Sequence, residues 1–285
     1  MMTDAPDAEN PPSEAFPIFL MGAGRSGTTL LQKILNSADD VMIWGEHGGF
    51  LKQIAKAYFH HVENAKVARR IFGENQVAKD PGLDFNPLKP KDIDYHWMNW
   101  YGRREVTTNF ARFIESFFNP PEMTKRHWGF KEIRYGGDDR VIELLAELFP
   151  NARFVFIARN PIDVIASQTA LGWGSRTPLR VGWKRLAEAW TAQNRDLLAF
   201  QRANEGRTRF VRFESLISRG SGEIEGLFEW LGFETSDRQG ELVALKEGIW
   251  RKKRRDGKPH RTMFNERRIR HIERIVRDPS RALGY

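Results

Sequence analysis

The sequence predicts an α/β domain with a central, mostly parallel sheet flanked by helices. Short apolar runs alternate with longer amphipathic stretches, and the first run enters a glycine-rich turn that opens a helix. The chain carries no internal repeat and no low-complexity linker, and 285 residues at 40% hydrophobic content supply one substantial core. A single domain is therefore predicted over 16–285.

Residues 1–15 are acidic, polar and proline-bearing, and read as a disordered tail. "FPIFLMGAG" reads as a buried strand running into a glycine turn. "GTTLLQKILNS" continues as a helix, with Leu30, Leu31, Ile34 and Leu35 at helical spacing. "VMIWGE" (41–46) reads as a second strand and "WGFKEIR" (128–134) as a third. The stretch 58–125 between them is predicted mainly helical, with a loop around Pro81 to Pro90. "RFVFIAR" (153–159) is an aromatic and β-branched strand, and Pro161 just beyond it suits the first turn of the helix "PIDVIASQTA". A long helix from about Gly182 to Asn204 leads into the strand "TRFVRF" (208–213). The amphipathic "NERRIRHIERIV" lies in a basic segment of about 250–277. Strands separated by helices place ligands at the carboxyl ends of the strands.

Composition narrows the chemistry. A net charge of +8 favours an anionic ligand, an acidic acceptor, nucleic acid or a membrane surface without choosing among them. The absence of cysteine excludes disulfides, thiolate nucleophiles and cysteine-ligated metal centres. The apolar run 16–21 is too short for a signal-peptide core or a membrane span, and a soluble, cytoplasmic protein is expected.

"MGAGRSGTTL" (21–30) has the glycine spacing of a phosphate-binding loop, Gly22 and Gly27, with Thr28 where the lysine of G-x-x-x-x-G-K-[ST] would stand. A turn entering a helix at Gly27 directs free backbone N–H groups and the helix dipole at one spot. Arg25 offers a cation, and Ser26, Thr28 and Thr29 offer hydroxyls. A tight ligand-free connection is the plain alternative. An NTPase of this class needs an acidic magnesium ligand at the end of a second apolar strand, yet "RFVFIAR" ends in Arg159, which attracts phosphate and repels magnesium. Ser167, eight positions on, falls on the following helix.

Arg-Ser-Gly-Thr-Thr after a strand, with an Arg-(x)7-Ser pair across a later strand and helix, resembles the sulfotransferases that use 3′-phosphoadenosine 5′-phosphosulfate (PAPS). The resemblance runs from about Phe16 to Leu231 and implies a P-loop NTPase-like sulfotransferase fold. It implies that Gly24, Arg25, Ser26, Gly27, Thr28 and Thr29 hold the 5′-phosphosulfate, that Arg159 and Ser167 hold the 3′-phosphate, and that no metal is needed. Arg25 in place of the lysine of cytosolic small-molecule members brings the chain closer to the tyrosylprotein and bacterial branch. In that branch a glutamate base ends the second strand. Glu46 in "WGEH" matches it, and Lys131 in "GFKEIRY" resembles a lysine at the bridging oxygen. "VRFESLI" (211–217) departs from a family segment by Phe213 for tyrosine and Ser215 for aspartate, and the family's basic lid does not align with this chain, "RKKRRDGKPHR" (251–261) being the candidate stretch.

Sulfuryl transfer to a hydroxyl then requires a base, Glu46, and preorganised cations, Arg25 and Lys131. The structural alternative for Glu46 is an ordinary ion pair with Arg25 or Lys131, and His47 is a rival base. Lys131 has a solvated surface lysine as its alternative. Trp44, Phe50, Trp97, Trp100, Tyr101, Trp128 and Trp173 are candidates for an acceptor pocket or for the core. The expected partners are PAPS, its product PAP, and a hydroxyl-bearing small molecule, saccharide or tyrosine. Between Arg251 and Arg277 lie twelve Lys or Arg residues, suited to a solvated face, a nucleotide lid or a dock for an acidic acceptor. Two rivals stand beside this reading: a P-loop kinase or NTPase with Glu46 directing magnesium, and a nucleic-acid binder. The second is disfavoured because the basic residues are not interleaved with stacking aromatics.

Overall fold

The computed structural model describes residues 15–64, 101–173, 182–218, 220, 222–244 and 263–285. Five strands form one parallel sheet: β1 (Ile18–Met21), β2 (Val41–Trp44), β3 (His127–Glu132), β4 (Arg153–Ala158) and β5 (Thr208–Arg212), in the order β2-β3-β1-β4-β5. The apolar runs predicted as strands are these strands. Four end earlier than the sequence suggests: 41–46 stops at Trp44 and 128–134 at Glu132, two residues short, and 153–159 and 208–213 stop one residue short at Ala158 and Arg212. At β3 the cause is local, because Ile133 N–H donates to the Glu132 carboxylate at 2.9 Å rather than to a neighbouring strand.

Side-chain alternation divides the core between the two faces of the sheet. Phe19 and Met21 of β1 join Phe130, Phe154 and Phe156 on one face, beneath α2 (Leu51–Val62), α3 (Arg103–Phe118) and α4 (Val141–Leu148). Ile18 and Leu20 join Ile43, Val155, Ile157 and Val211 on the other, packed by α1 (Thr28–Leu35) and, beyond it, α8 (Glu223–Leu231). Burial on both faces explains why these strands read as continuous apolar runs. Between β5 and α8 lies the single-turn α7 (Phe213–Leu216). A third cluster joins α5 (Pro161–Ala170), α6 (Gly182–Ala203) and α9 (Glu266–Ala282) through Ile162, Ile165, Trp190, Ile272 and Val276. Gly129 is required where β3 passes β1, since a Cβ there would sit 1.7 Å from Ile18 O.

From β1 the chain goes to one side of the sheet for β2 and β3, then crosses to the other side for β4 and β5. The crevice above the carboxyl end of β1 is thus a topological switch point, the place where such sheets bind ligands. The β1–α1 turn, the end of β3 and the end of β4 all meet there. The tail 1–14, the loop around Pro81 to Pro90, Trp97, Trp100 and the run 251–261 lie outside the described residues. Among the described residues no helix is long and apolar enough to cross a membrane.

Candidate active site

The β1–α1 turn is held in a conformation that little else than its own residues permits. A Cβ on Gly22 would meet Ile157 O of β4 at 2.4 Å, and one on Gly27, at φ +100°, would meet the Phe213 ring at 2.3 Å. Arg25 also has positive φ, 76°, which is rare for a residue with a side chain and concentrates at functional sites. The turn is tied to α5 twice: Arg25 Nε donates to Ser167 Oγ at 3.1 Å, and Gln168 Nε2 donates to Gly24 O at 2.8 Å. The amides of Thr28 and Thr29 open α1, ahead of any intrahelical acceptor. Ser26 is fully buried, and its hydroxyl has no partner among the described residues.

Arg159 follows β4. Its guanidinium lies 4.7 Å over the Phe213 ring, donates to Arg25 O at 3.2 Å and stands 3.9 Å from Asp163. Burial pushes its pKa below the ordinary arginine value, against the pull of Asp163, and an arginine stays charged even so. Phe213, which takes a tyrosine's place in the family segment, therefore packs on both Gly27 and Arg159.

Beside this arginine-bearing edge stands a carboxylate edge. Glu46 lies two residues past β2 and accepts from Lys131 Nζ at 2.6 Å and from Arg134 Nη1 at 3.0 Å. Lys131 is buried in β3, not a solvated surface lysine. Arg134 also reaches Glu132 at 2.6 Å. Glu132 is fully buried and accepts the backbone N–H groups of His47 at 3.2 Å and Gly49 at 3.0 Å, so it anchors the turn that carries Glu46. Desolvation pushes the Glu132 pKa up, but the Arg134 guanidinium, the Ile133 N–H and His47 outweigh it and hold the carboxyl below the ordinary range. His47 turns away from the site: its Nε2 meets Tyr135 Oη, and its ring packs on Phe50, Phe118 and Phe130.

The two edges share one cleft of about 260 Å³, lined by Gly24, Arg25, Gly27, Thr28, Thr29, Glu46, Arg134, Arg159 and Trp173, among others. Ser167 reaches it through Arg25 and Lys131 through Glu46, while Ser26 lies buried within the turn. The sequence alone did not single out Arg134, Glu132 or Gln168. The pattern Lys-Glu-x-Arg at 131–134 was the one available signal for the first two.

The sequence profile of the sulfotransferase family matches residues 17–237. The chain belongs to the sulfotransferase family. No curated protein matches this sulfotransferase. Among solved structures, a mouse sulfotransferase complexed with PAP is similar at a TM-score of 0.50 and 11% identity, over 93% of this chain and 85% of that one. Retinol dehydratase in complex with androsterone and the inactive cofactor PAP gives 0.47 and 13%, over 94% and 82%. The sulfotransferase domain of the Synechococcus PCC 7002 olefin synthase gives 0.46 and 18%, over 84% and 80%. At these identities the likeness concerns the fold.

Two further features of this sulfotransferase lie beside the Arg159 edge. The N–H of Asn160 donates to Glu214 Oε1 at 3.0 Å, and the phenol of Tyr285 donates to Glu214 Oε2 at 2.7 Å. The basic α9 does not line the cleft. Its Arg270, Arg274, Arg277 and Arg281 line a neighbouring groove of about 450 Å³ against Asn160 to Ile162. Of the other aromatic candidates, Trp128 is core, Tyr101 is exposed and Trp44 donates its indole N–H to Phe118 O at 2.8 Å.

Proposed function

We propose that this sulfotransferase moves a sulfuryl group from PAPS to an acceptor hydroxyl, with Glu46 as general base and no metal taking part. The observation that carries the reading is that an arginine-bearing turn at a helix N-terminus and a cation-held carboxylate line one small cleft. The residues fit the donor. Gly27, at φ +100°, lets the turn present the opening amides of α1, Ser26 has a buried hydroxyl without a partner among the described residues, and Arg25 and Arg159 supply positive charge at two points. When bound, PAPS supplies an activated sulfuryl group on a phosphate leaving group.

In this reading the amides of Thr28 and Thr29, with Arg25, hold the 5′ end, and Arg159 with Ser167 hold the 3′-phosphate. An in-line displacement breaks the S–O bond to the phosphate as the bond to the acceptor oxygen forms. Glu46 takes the acceptor's proton. In this reading Lys131, held against Glu46 at 2.6 Å, supplies positive charge next to the base that would offset charge on the leaving phosphate. Arg134 keeps the carboxylate aimed meanwhile.

The test is calorimetric titration with PAP in the absence of metal, beside ATP with magnesium, repeated on Arg159→Ala. Metal-free PAP binding that weakens at least tenfold in the variant is expected. A preference for magnesium ATP transfers the site to a kinase or NTPase reading, and the steep salt dependence of a polynucleotide without any sulfated product transfers it to a nucleic-acid binder.

A further inference from the structure

A second cavity of about 330 Å³ adjoins the cleft and shares four lining residues with it: Gly24, Ile133, Arg134 and Trp173. The rest of its wall comes from Ala23, Gln168 and one face of α6, namely Leu186, Ala189, Trp190 and Gln193. The two spaces meet where the Trp173 ring lies against Gly24, so close that a Cβ on Gly24 would stand 2.5 Å from it. The cavity opens into the cleft past Arg134 and Trp173, and none of Glu46, Arg159 and Phe213 lines it.

We infer that this cavity receives the acceptor, and that the acceptor is a small, uncharged, ring-bearing phenol or alcohol. The inference rests on the sulfotransferase reading of the cleft and adds the substrate class. Volume is the first argument, because about 330 Å³ lies near the bottom of the range of about 300–1,000 Å³ for small-molecule sites. Chemistry is the second. Two indoles, a leucine, an isoleucine and two alanines form most of the wall, its glutamines and arginine are engaged with the protein itself, and the buried Trp190 indole N–H has no partner among the described residues. Gln168 Nε2 serves Gly24 O. Gln193 Nε2 serves the carbonyls of Ile133 and Tyr135 at 3.1 and 2.7 Å. Arg134 faces Glu46 and Glu132.

A saccharide would bring several hydroxyls into a wall with few free partners, and each hydroxyl left unsatisfied there weakens its binding. An anionic acceptor would meet an arginine already balanced by two carboxylates. A flat apolar ring meets neither cost, and the exposed Trp173 indole offers it a surface to stack on. Its hydroxyl passes Arg134 to reach Glu46, which lines the cleft but not the cavity.

Ala189 is exposed at the cavity wall, so Ala189→Trp fills the space from a position that tolerates a larger side chain. The full chain and this variant are titrated with 2-naphthol, N-acetylglucosamine and a tyrosine-containing acidic peptide, each with and without PAP. Binding of 2-naphthol to the wild type, weakened at least tenfold in Ala189→Trp with PAP affinity unchanged, is the expected result. Equal binding of 2-naphthol by both proteins, its failure to bind, or tighter binding of the sugar or peptide that Ala189→Trp weakens, overturns the inference. The PAP titrations on the same samples report separately on the nucleotide reading. Loss of PAP binding alone leaves a cavity result that stands or falls on the naphthol arm.

Discussion

Glu46 holds two cations at once, Lys131 at 2.6 Å and Arg134 at 3.0 Å, while its own side chain remains 31% exposed. That combination separates binding from turnover. Glu46→Gln keeps the size and most of the hydrogen bonding, so PAP affinity is expected to stay within a few-fold of wild type. Turnover is expected to fall about 10²- to 10⁴-fold, the usual contribution of a general base. Sulfate transfer measured beside PAP calorimetry checks this, and near-normal turnover removes Glu46 from the role. Arg25 and Arg159 stand out in the sequence because each sits in a short stretch whose chemistry is local, whereas Glu46 and Lys131 are reached only through the family resemblance. Arg134, Glu132 and Gln168 were not legible, because their roles are contacts across the chain. The partner of Gln168 lies 144 residues away and that of Arg134 lies 88 away, and only the sheet order brings either pair together.

The β1–α1 turn is the element on which the anion edge depends, and Gly27 is its most constrained position. Gly27→Ala meets two penalties: a φ of +100° that a side chain resists, and a Cβ 2.3 Å from the Phe213 ring. Strain of this kind costs about 1–3 kcal/mol, and moving Phe213 also withdraws the ring beneath Arg159. A lower Tm together with weaker PAP binding is therefore expected. Thermal unfolding and calorimetry on the same variant check it, and a variant with unchanged Tm would show that Phe213 yields without cost. At this scale the sequence was most informative where strands are buried on both faces, as in β1 and β4. It was least informative at strand ends. Gly45 and Glu46 are polar-tolerant continuations of an apolar run, and nothing in that run marks Trp44 as its last ladder residue.

For the whole molecule, two buried histidines set how stability follows pH. His47 is held below its ordinary pKa mainly by burial, against the pull of Glu132, and His127 likewise by burial, against its hydrogen bond with the Phe16 backbone. Both are resistant to protonation in the fold but not in the unfolded chain. Where the unfolded chain binds a proton that the fold does not, stability falls as pH falls. The decline begins near pH 6.5, and each histidine contributes up to about 1.4 kcal/mol per pH unit. Glu132 adds its own loss at lower pH, as the solution falls through its depressed pKa. Tm is expected to be flat between pH 8 and 7 and to drop toward pH 5.5, with a shallower drop in His47→Gln. An unchanged slope in that variant assigns the effect elsewhere. The sheet order, which decides what faces the cleft, could not be read from the sequence, since strand pairing leaves no local mark in a chain of similar apolar runs.

Tyr285 ties the far end of the chain to Glu214, whose other oxygen holds the backbone of Asn160 beside Arg159. The contact joins residues 71 positions apart, so the turn beside Arg159 is moored through a tether and not only by its immediate neighbours. Tyr285→Phe cuts that tether at one atom while leaving the ring beneath Arg212, and it slackens the Arg159 corner without touching Glu46, Lys131 or Arg134.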